Sequence, residues 1–271
     1  MEEQIITIVN MILCTFRMVN GIGGHKVKAE LPHYLVTVEG FDFKDACNYL
    51  LDLMKISAPV TTYYYPKQTK PFVLPIKDTN NDLIIRYLCN QRKIDKDIVD
   101  YFISTNQIYQ EQFKNVVFVG YDGDKPSYAF KRSIFKNYKL DHSGSNKAFS
   151  FSFTNSNSSI LHVFEAAIDL LSYMTILKLD HQDFKQYNYL SLAGASDKIA
   201  SKTEADIPIA LKSFLERNKK IKTIIFHLDN DEVGIGATSK IIKVLDNKYQ
   251  CIDDHPKESK DVNEELVNIR I

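Results

Sequence analysis

The sequence predicts an α/β chain whose C-terminal part, residues 156–271, is a parallel sheet flanked by helices. Two observations predict it. From residue 160 onward, short apolar segments alternate with longer amphipathic stretches, which is the pattern of βαβ units. Upstream, residues 66–155 mix strand and helix patterns, which indicates an α+β domain that ends in the polar tract 154–159. An N-terminal segment, 1–65, precedes both.

The elements of the C-terminal part follow from its apolar runs, each of strand length and each separated from the next by a helical interval. The predicted strands are 160–164, 189–192, 223–228 and 249–252, and the last helix is 262–269. Ligands of such sheets bind at the carboxyl ends of the strands, so this edge is where a site is expected.

The upstream domain is read in the same way. A strand is predicted at 72–76, followed by helices at 83–90 and 95–104, the second of which buries Ile98, Val99 and Phe102. Strands at 116–119 and 128–132 flank the turn Asp122-Gly123-Asp124 and predict a hairpin. In the N-terminal segment we expect a strand at 34–38 and a helix at 42–54.

Composition excludes several classes of protein. Basic and acidic residues both number 34, so the chain as a whole does not attract nucleic acid or anionic membranes. Only the stretch 114–147, with seven bases against three acids, is locally basic, and a solvated loop face is the alternative interpretation. The four cysteines form no CxxC pair, which favours a reducing cytoplasm. The apolar run 5–19 follows Glu2 and Glu3 in place of a basic start and lacks a small-residue cleavage site, so no signal peptide is expected, and it is too short and polar to span a membrane.

Three carboxylates lie where predicted strands end. Glu165 follows the first strand, and Asp229 and Asp231 follow the third. If these strands are neighbours, their backbones lie about 4.8 Å apart and the acids converge at one edge. Crowded carboxylates repel each other and favour a hard divalent cation such as Mg²⁺. The alternative is that the acids cap helices, as acids often do.

These residues resemble a known family. Glu165, followed far downstream by Asp229-Asn230-Asp231-Glu232-Val233-Gly234, is similar to the Glu and Asp-x-Asp motifs of Toprim domains, the catalytic fold of bacterial primases and topoisomerases. The stretches 163–172 and 260–264 resemble primase-like proteins of plasmids and mobile elements more narrowly. The resemblance implies a Rossmann-like sheet and Mg²⁺ or Mn²⁺ held by Glu165, Asp229, Asp231 and Asp261. Asp261 is alternatively a helix cap.

The upstream stretch 87–94 is similar to the phrase that precedes the Toprim domain of primases, with Lys93 where glycine is usual. The resemblance further implies that Arg132, Lys147 and Lys260 bind phosphates of nucleic acid or nucleotides. Residues 1–65 resemble the tail of a degenerate zinc-binding module. Because Cys14 with His25 or His33 does not complete a four-ligand site, we expect no zinc.

The resemblance implies Mg²⁺-dependent nucleotidyl transfer, with primer synthesis on single-stranded DNA from nucleoside triphosphates as the leading reaction. Glu165, Asp229 and Asp231 are the expected catalytic residues. A replicative helicase or a relaxase is the expected protein partner, and no membrane is expected. A Toprim nuclease and a non-catalytic accessory module are the alternatives.

Overall fold

The structure is a computed structural model in which residues 71–136, 138–194 and 207–270 are described, together with Leu35, Asp45 and Tyr49. The chain divides into two compact units, 1–67 and 68–271. Leu35 is helical, so the strand expected at 34–38 is wrong there, whereas helical Asp45 and Tyr49 agree with the helix expected at 42–54. The zinc-module residues Cys14, His25 and His33 lie outside the described residues.

The second unit opens with an extended segment and two helices. Residues 72–76 form no strand, because Pro75 has no N–H to donate and only Lys77 bridges to Glu111. Helix α1 (Asp82–Arg86) runs directly into a π-helical turn, Tyr87–Gln91. Helix α2 (Lys96–Ser104) begins after the cap Asp95 and buries Ile98, Val99 and Phe102, as expected.

An antiparallel sheet follows, formed by β1 (Ile108–Gln110), β2 (Asn115–Asp122), β3 (Lys125–Ser133) and β4 (Lys139–Asp141) in that order. The predicted hairpin is confirmed as β2 and β3, and Gly123 supplies the positive φ of 57° that their turn requires. A short 3₁₀ turn, Lys147–Phe149, leads out of this sheet.

The second sheet has the order β5-β7-β6-β8-β9. Its strands are β5 (Ser152–Phe153), β6 (Ile160–Phe164), β7 (Asn188–Ser191), β8 (Thr223–His227) and β9 (Gln250–Asp253). All neighbours are parallel except the edge strand β5, which is antiparallel to β7. The four predicted parallel strands are confirmed, and β6 and β8 are neighbours.

Helices cover both faces of this sheet. They are α3 (Ala167–Leu179), α4 (Ile209–Arg217), α5 (Glu232–Leu245) and α6 (Val262–Ile269). Alternation along β6 sends His162 and Phe164 to one face and Leu161 and Val163 to the other. Helices α4 and α5 pack on the second face.

The first face shares its hydrophobic core with the upstream helices and the antiparallel sheet. Leu88, Phe102 and Phe118 belong to the same buried cluster as Leu170 of α3 and Leu266 of α6. The predicted fold class, a parallel sheet flanked by helices and preceded by a mixed α+β part, is confirmed. The predicted domain border at 155/156 lies inside one compact unit and stays a prediction. No helix among the described residues has the length and apolarity to cross a membrane.

Candidate active site

The parallel pairing of β6 with β8 brings two of the predicted acids to one edge of the sheet. Phe164 lies opposite His227, so Glu165 and Asp229 follow their strands at similar heights. The neighbouring turn after β7 supports Glu165, because Gly194 donates its N–H to the Glu165 carbonyl at 3.0 Å. Ala193 adopts a left-handed φ of 59° in this turn, a strained conformation for a residue with a Cβ.

Asp231 begins helix α5 rather than extending the strand. Its Oδ1 accepts hydrogen bonds from the N–H groups of Val233, at 3.1 Å, and Gly234, at 2.9 Å. A Cβ on Gly234 would lie 2.1 Å from the Asp229 carbonyl oxygen, so only glycine allows this helix to start so close to Asp229. The predicted helix cap and the predicted site residue are therefore the same side chain.

Asp261 likewise caps helix α6, accepting the N–H of Glu264 at 2.8 Å. The loop before it is tied to the β8 edge, because Asn230 donates its N–H to the Lys260 carbonyl at 2.7 Å. The Lys260 side chain is exposed, and its charge lowers the pKa of Asp229. Asp261 thus caps a helix and also contributes charge to the acidic edge.

Asp169 is a member of this edge that the sequence analysis missed. It lies one helical turn after Glu165 on α3, is only 6% exposed, and accepts the N–H of Asn263 at 3.2 Å. Burial raises the pKa of Asp169 well above its usual value, and the charges of Asp261 and Asp229 raise it further. The signal was available, since Asp169 is the acid in the first turn of the helix that follows Glu165.

Mutual repulsion is also evident at Asp229. Burial, followed by the charges of Asp261 and Asp231, raises the pKa of Asp229 to about 6, while Lys260 and Lys139 oppose the rise. We define Glu165, Asp169, Asp229, Asp231 and Asp261 as the acidic edge. Across residues 71–136, 138–194 and 207–270, no three His, Cys, Asp or Glu side chains form a group that could hold a metal ion as they stand. Carboxylate oxygens are nevertheless the donors that Mg²⁺ prefers, and their crowding fits a cation.

The strand pair β3 and β4 carries basic residues beside a cavity of about 270 Å³ that Glu165 lines from the acidic edge. Arg132 lies opposite Lys139 in the β3–β4 register, and Lys139 lines the cavity together with Glu165 and Asp141. The Nε of Arg132 is buried and has no hydrogen-bond partner. Such an orphaned donor fits an anionic ligand. Lys139 is a second residue that the sequence analysis counted in the basic stretch but did not single out.

Lys147 lies at the rim of the same cavity. Its Nζ contacts Asp141 at 2.8 Å and donates to the Ala193 carbonyl at 3.3 Å. Tyr128 holds the other Asp141 oxygen at 2.6 Å. The structure therefore places Lys147 beside the turn that supports Glu165, whereas Lys260 lies on the loop after β9.

Comparison with known proteins agrees with this architecture. Residues 162–266 match a family described as Toprim-like, and residues 86–158 match one described as a protein of unknown function, DUF3991. The chain is 26% identical over 161 residues to an uncharacterized, plasmid-encoded protein of Bacillus anthracis. That match covers 52% of this chain and 45% of the relative, so it spans less than half of the relative's length.

Two primase structures are similar. The primase fragment of the bacteriophage T7 primase-helicase protein is 19% identical, with a TM-score of 0.48, over 66% of this chain and 67% of that chain. The Aquifex aeolicus primase, comprising its zinc-binding and RNA polymerase domains, is 14% identical, with a TM-score of 0.43, over 88% of this chain and 66% of that chain.

The parallel sheet and the family match thus define a chain that contains a Toprim-like domain. More particularly, the Toprim-like region, residues 162–266, follows directly after a region, residues 86–158, that matches the DUF3991 family.

Proposed function

We propose that this protein carries out Mg²⁺- or Mn²⁺-dependent nucleotidyl transfer on nucleic acid, with primer synthesis for plasmid or mobile-element replication as the reaction. One observation carries the proposal: acids from three separate chain segments converge at one sheet edge, and one of them, Glu165, faces the basic residue Lys139 across a cavity. Acids alone would suit metal binding. The basic residues of β3 and β4 add a place to bind the nucleotide phosphates that such a metal would also contact.

The division of roles follows from position. Asp229, Asp231 and Asp261 would hold one or two cations, which when bound neutralise the triphosphate charge. Glu165 lines the cavity between acids and bases, where it would accept the proton of the attacking 3′-hydroxyl. Arg132 and Lys147 would bind phosphates from the opposite wall, and Lys260 from the loop.

Incubation with single-stranded DNA, labelled nucleoside triphosphates and Mg²⁺ or Mn²⁺ tests the reaction. Glu165→Gln should abolish labelled primer with a smaller effect on metal affinity, because the change removes the base but keeps an oxygen donor. Glu216→Gln, an exposed acid on α4, is the matched control. Wild-type protein that makes no primer but cleaves the DNA would favour the nuclease alternative.

Salt dependence tests the basic wall independently of turnover. Each phosphate contact releases counterions, so Arg132→Ala and Lys147→Ala should each flatten log affinity against log salt by roughly one unit. Lys243→Ala, on the opposite face of the parallel sheet, should leave the slope unchanged. If all three variants keep the wild-type slope, Arg132 and Lys147 do not contact phosphates and belong to a solvated surface.

A non-catalytic accessory module that binds DNA, a helicase or a relaxase is the second candidate. It is favoured by the finding that no three acids among the described residues form a ready metal group. Metal titration of the full chain discriminates the two. Loss of all Mg²⁺ and Mn²⁺ binding with DNA affinity retained would favour the accessory module.

A further inference from the structure

A buried asparagine connects the acidic edge to the DUF3991 domain. Asn263, the second residue of α6, is 3% exposed, and its backbone N–H donates to Asp169 Oδ1 at 3.2 Å. The first N–H groups of a helix have no partner within the helix, so Asp169 is what satisfies this one. The same residue therefore orients the buried carboxylate and lies two positions after the cap Asp261.

The side chain of Asn263 is held by Arg92, which lies outside the Toprim-like region, and by Ser172 within it. Its Oδ1 accepts from Arg92 Nη1 at 3.0 Å, and its Nδ2 donates to the Arg92 carbonyl at 2.9 Å and to Ser172 Oγ at 2.9 Å. The amide orientation is dictated by these partners, because the reversed amide would set its oxygen against the Arg92 carbonyl. Both donors and the acceptor are thus used in a buried place.

Arg92 is itself fixed from two directions. Its Nε donates to the Tyr87 hydroxyl at 2.9 Å, and its own N–H donates to the Tyr87 carbonyl at 3.1 Å, closing the π-helical turn. The next residue, Lys93, has a left-handed φ of 58°, and its carbonyl accepts from Arg270 at 2.9 Å. Residues 87–93 therefore dock on α6 as a rigid turn rather than through one flexible side chain.

We propose that Arg92 and Asn263 are a pair of positioning residues through which the DUF3991 domain sets the geometry of the acidic edge. The Arg92 turn fixes Asn263. Asn263 in turn fixes Asp169 through its backbone N–H, and it fixes Asp261 through the first turn of α6. This gives the domain of unknown function a role: it holds the carboxylates where a cation can be shared. The inference depends on the proposed function only for its metal-binding measurement.

Two variants of the full chain test the pair. Arg92→Lys keeps the charge but cannot bond both Tyr87 and Asn263, and Asn263→Asp keeps the acceptor while losing both side-chain donors. The matched controls are Arg86→Lys, an exposed arginine of α1, and Asn268→Asp, an exposed asparagine of α6. Circular dichroism and melts verify that each variant is folded, and if Asn263→Asp does not fold, Arg92→Lys decides alone.

The first measurement is metal-free amide exchange of Asn263 by nuclear magnetic resonance. Because only Asp169 protects this N–H, Arg92→Lys should speed its exchange by about tenfold, with Arg86→Lys like wild type. The second is Mn²⁺ titration by calorimetry. Both test variants should raise the Kd for Mn²⁺ by about tenfold or more, as loss of the hydrogen-bond partners of metal ligands generally does.

The outcomes separate the two proposals. If wild type binds no Mn²⁺, the proposed function fails, and the exchange of Asn263 still decides the positioning role. If the folded test variants exchange Asn263 like wild type and bind Mn²⁺ with the wild-type Kd, the positioning role is overturned while the metal site stands. Faster exchange with an unchanged Kd would also overturn it, because the contact would then be structural alone.

Discussion

Replacing Asp229 by asparagine should stabilise the metal-free protein, although it removes a proposed metal ligand. Asparagine has nearly the same shape but no charge, so the cost of burying a charge disappears together with the repulsion from Asp261 and Asp231. Raising the pKa of Asp229 from 3.8 to about 6 corresponds to about 3 kcal/mol of destabilisation at neutral pH. Because Asp229 is partly exposed, solvent screening reduces this to about 1–1.5 kcal/mol.

The sign follows from proton linkage. As pH rises, the unfolded chain ionises Asp229 before the folded chain does, so this destabilisation is absent below about pH 4 and complete above about pH 6. At pH 7.5 the variant should melt roughly 3–5 °C above wild type, using the usual relation for a unit of about 200 residues. At pH 4 the two melts should coincide.

Calorimetric melts at both pH values, with and without Mg²⁺ or Mn²⁺, provide the measurement. A cation that binds only the folded state should raise the wild-type melting temperature and raise that of Asp229→Asn less. Asp124→Asn, an exposed acid of the β2–β3 turn, is the control for losing a charge. If Asp229→Asn melts with wild type at pH 7.5 and neither protein responds to the cations, the acids do not form a metal site.

Three further perturbations follow from single contacts. Gly234→Ala should cost about 2 kcal/mol or more and lower metal affinity, since its Cβ would displace the Asp229 carbonyl; an unchanged urea midpoint would contradict the close approach. Lys93→Gly should raise stability by about 1 kcal/mol in urea titrations, because glycine adopts a φ of 58° without strain, and lower stability would show that the lysine side chain matters more. Burial, aided by the charge of a neighbouring histidine, lowers the pKa of His162 to about 3, so the unfolded chain binds its proton first and stability falls as pH drops through 6.5. About 2 kcal/mol should be lost by pH 5, and His162→Phe should lose correspondingly less; parallel pH profiles would refute this.

The strands that end at the acidic edge were predictable because apolar runs and periodicity survive in the sequence. The pairing of β6 with β8 was only a condition of the sequence argument, and the structure supplies it. Glu165 and Asp229 come just after such runs in the sequence, and the structure places them at the ends of neighbouring strands. The strand expected at 72–76 failed for a physical reason. Its residues are apolar, but a proline within them cannot donate to a ladder, and the chain meets the sheet through the isolated bridge from Lys77 to Glu111.

Asp169 and Lys139 were missed because the stretches that contain them, 163–172 and 114–147, were each weighed as a whole and not residue by residue. Asp169 belongs to the site because it is buried between α3 and α6. Lys139 belongs to it because the three-residue strand β4 places it beside the cavity. Such positions depend on contacts far apart in sequence. The pairing of Arg92 with Asn263, separated by 171 residues, is of the same kind.

The π-helical turn Tyr87–Gln91 determines the direction in which Arg92 leaves the upstream helix. Each α-helical residue rotates the chain by about 100°, and a π turn absorbs one residue more than an α turn. If this turn became an ordinary α turn with its length unchanged, Arg92 would be carried about 100° further around the helix axis and away from α6. Among relatives, the length of this turn and its π geometry should therefore change together. Positions 92 and 263 should change together, so a family alignment can detect the pairing without any experiment on the protein.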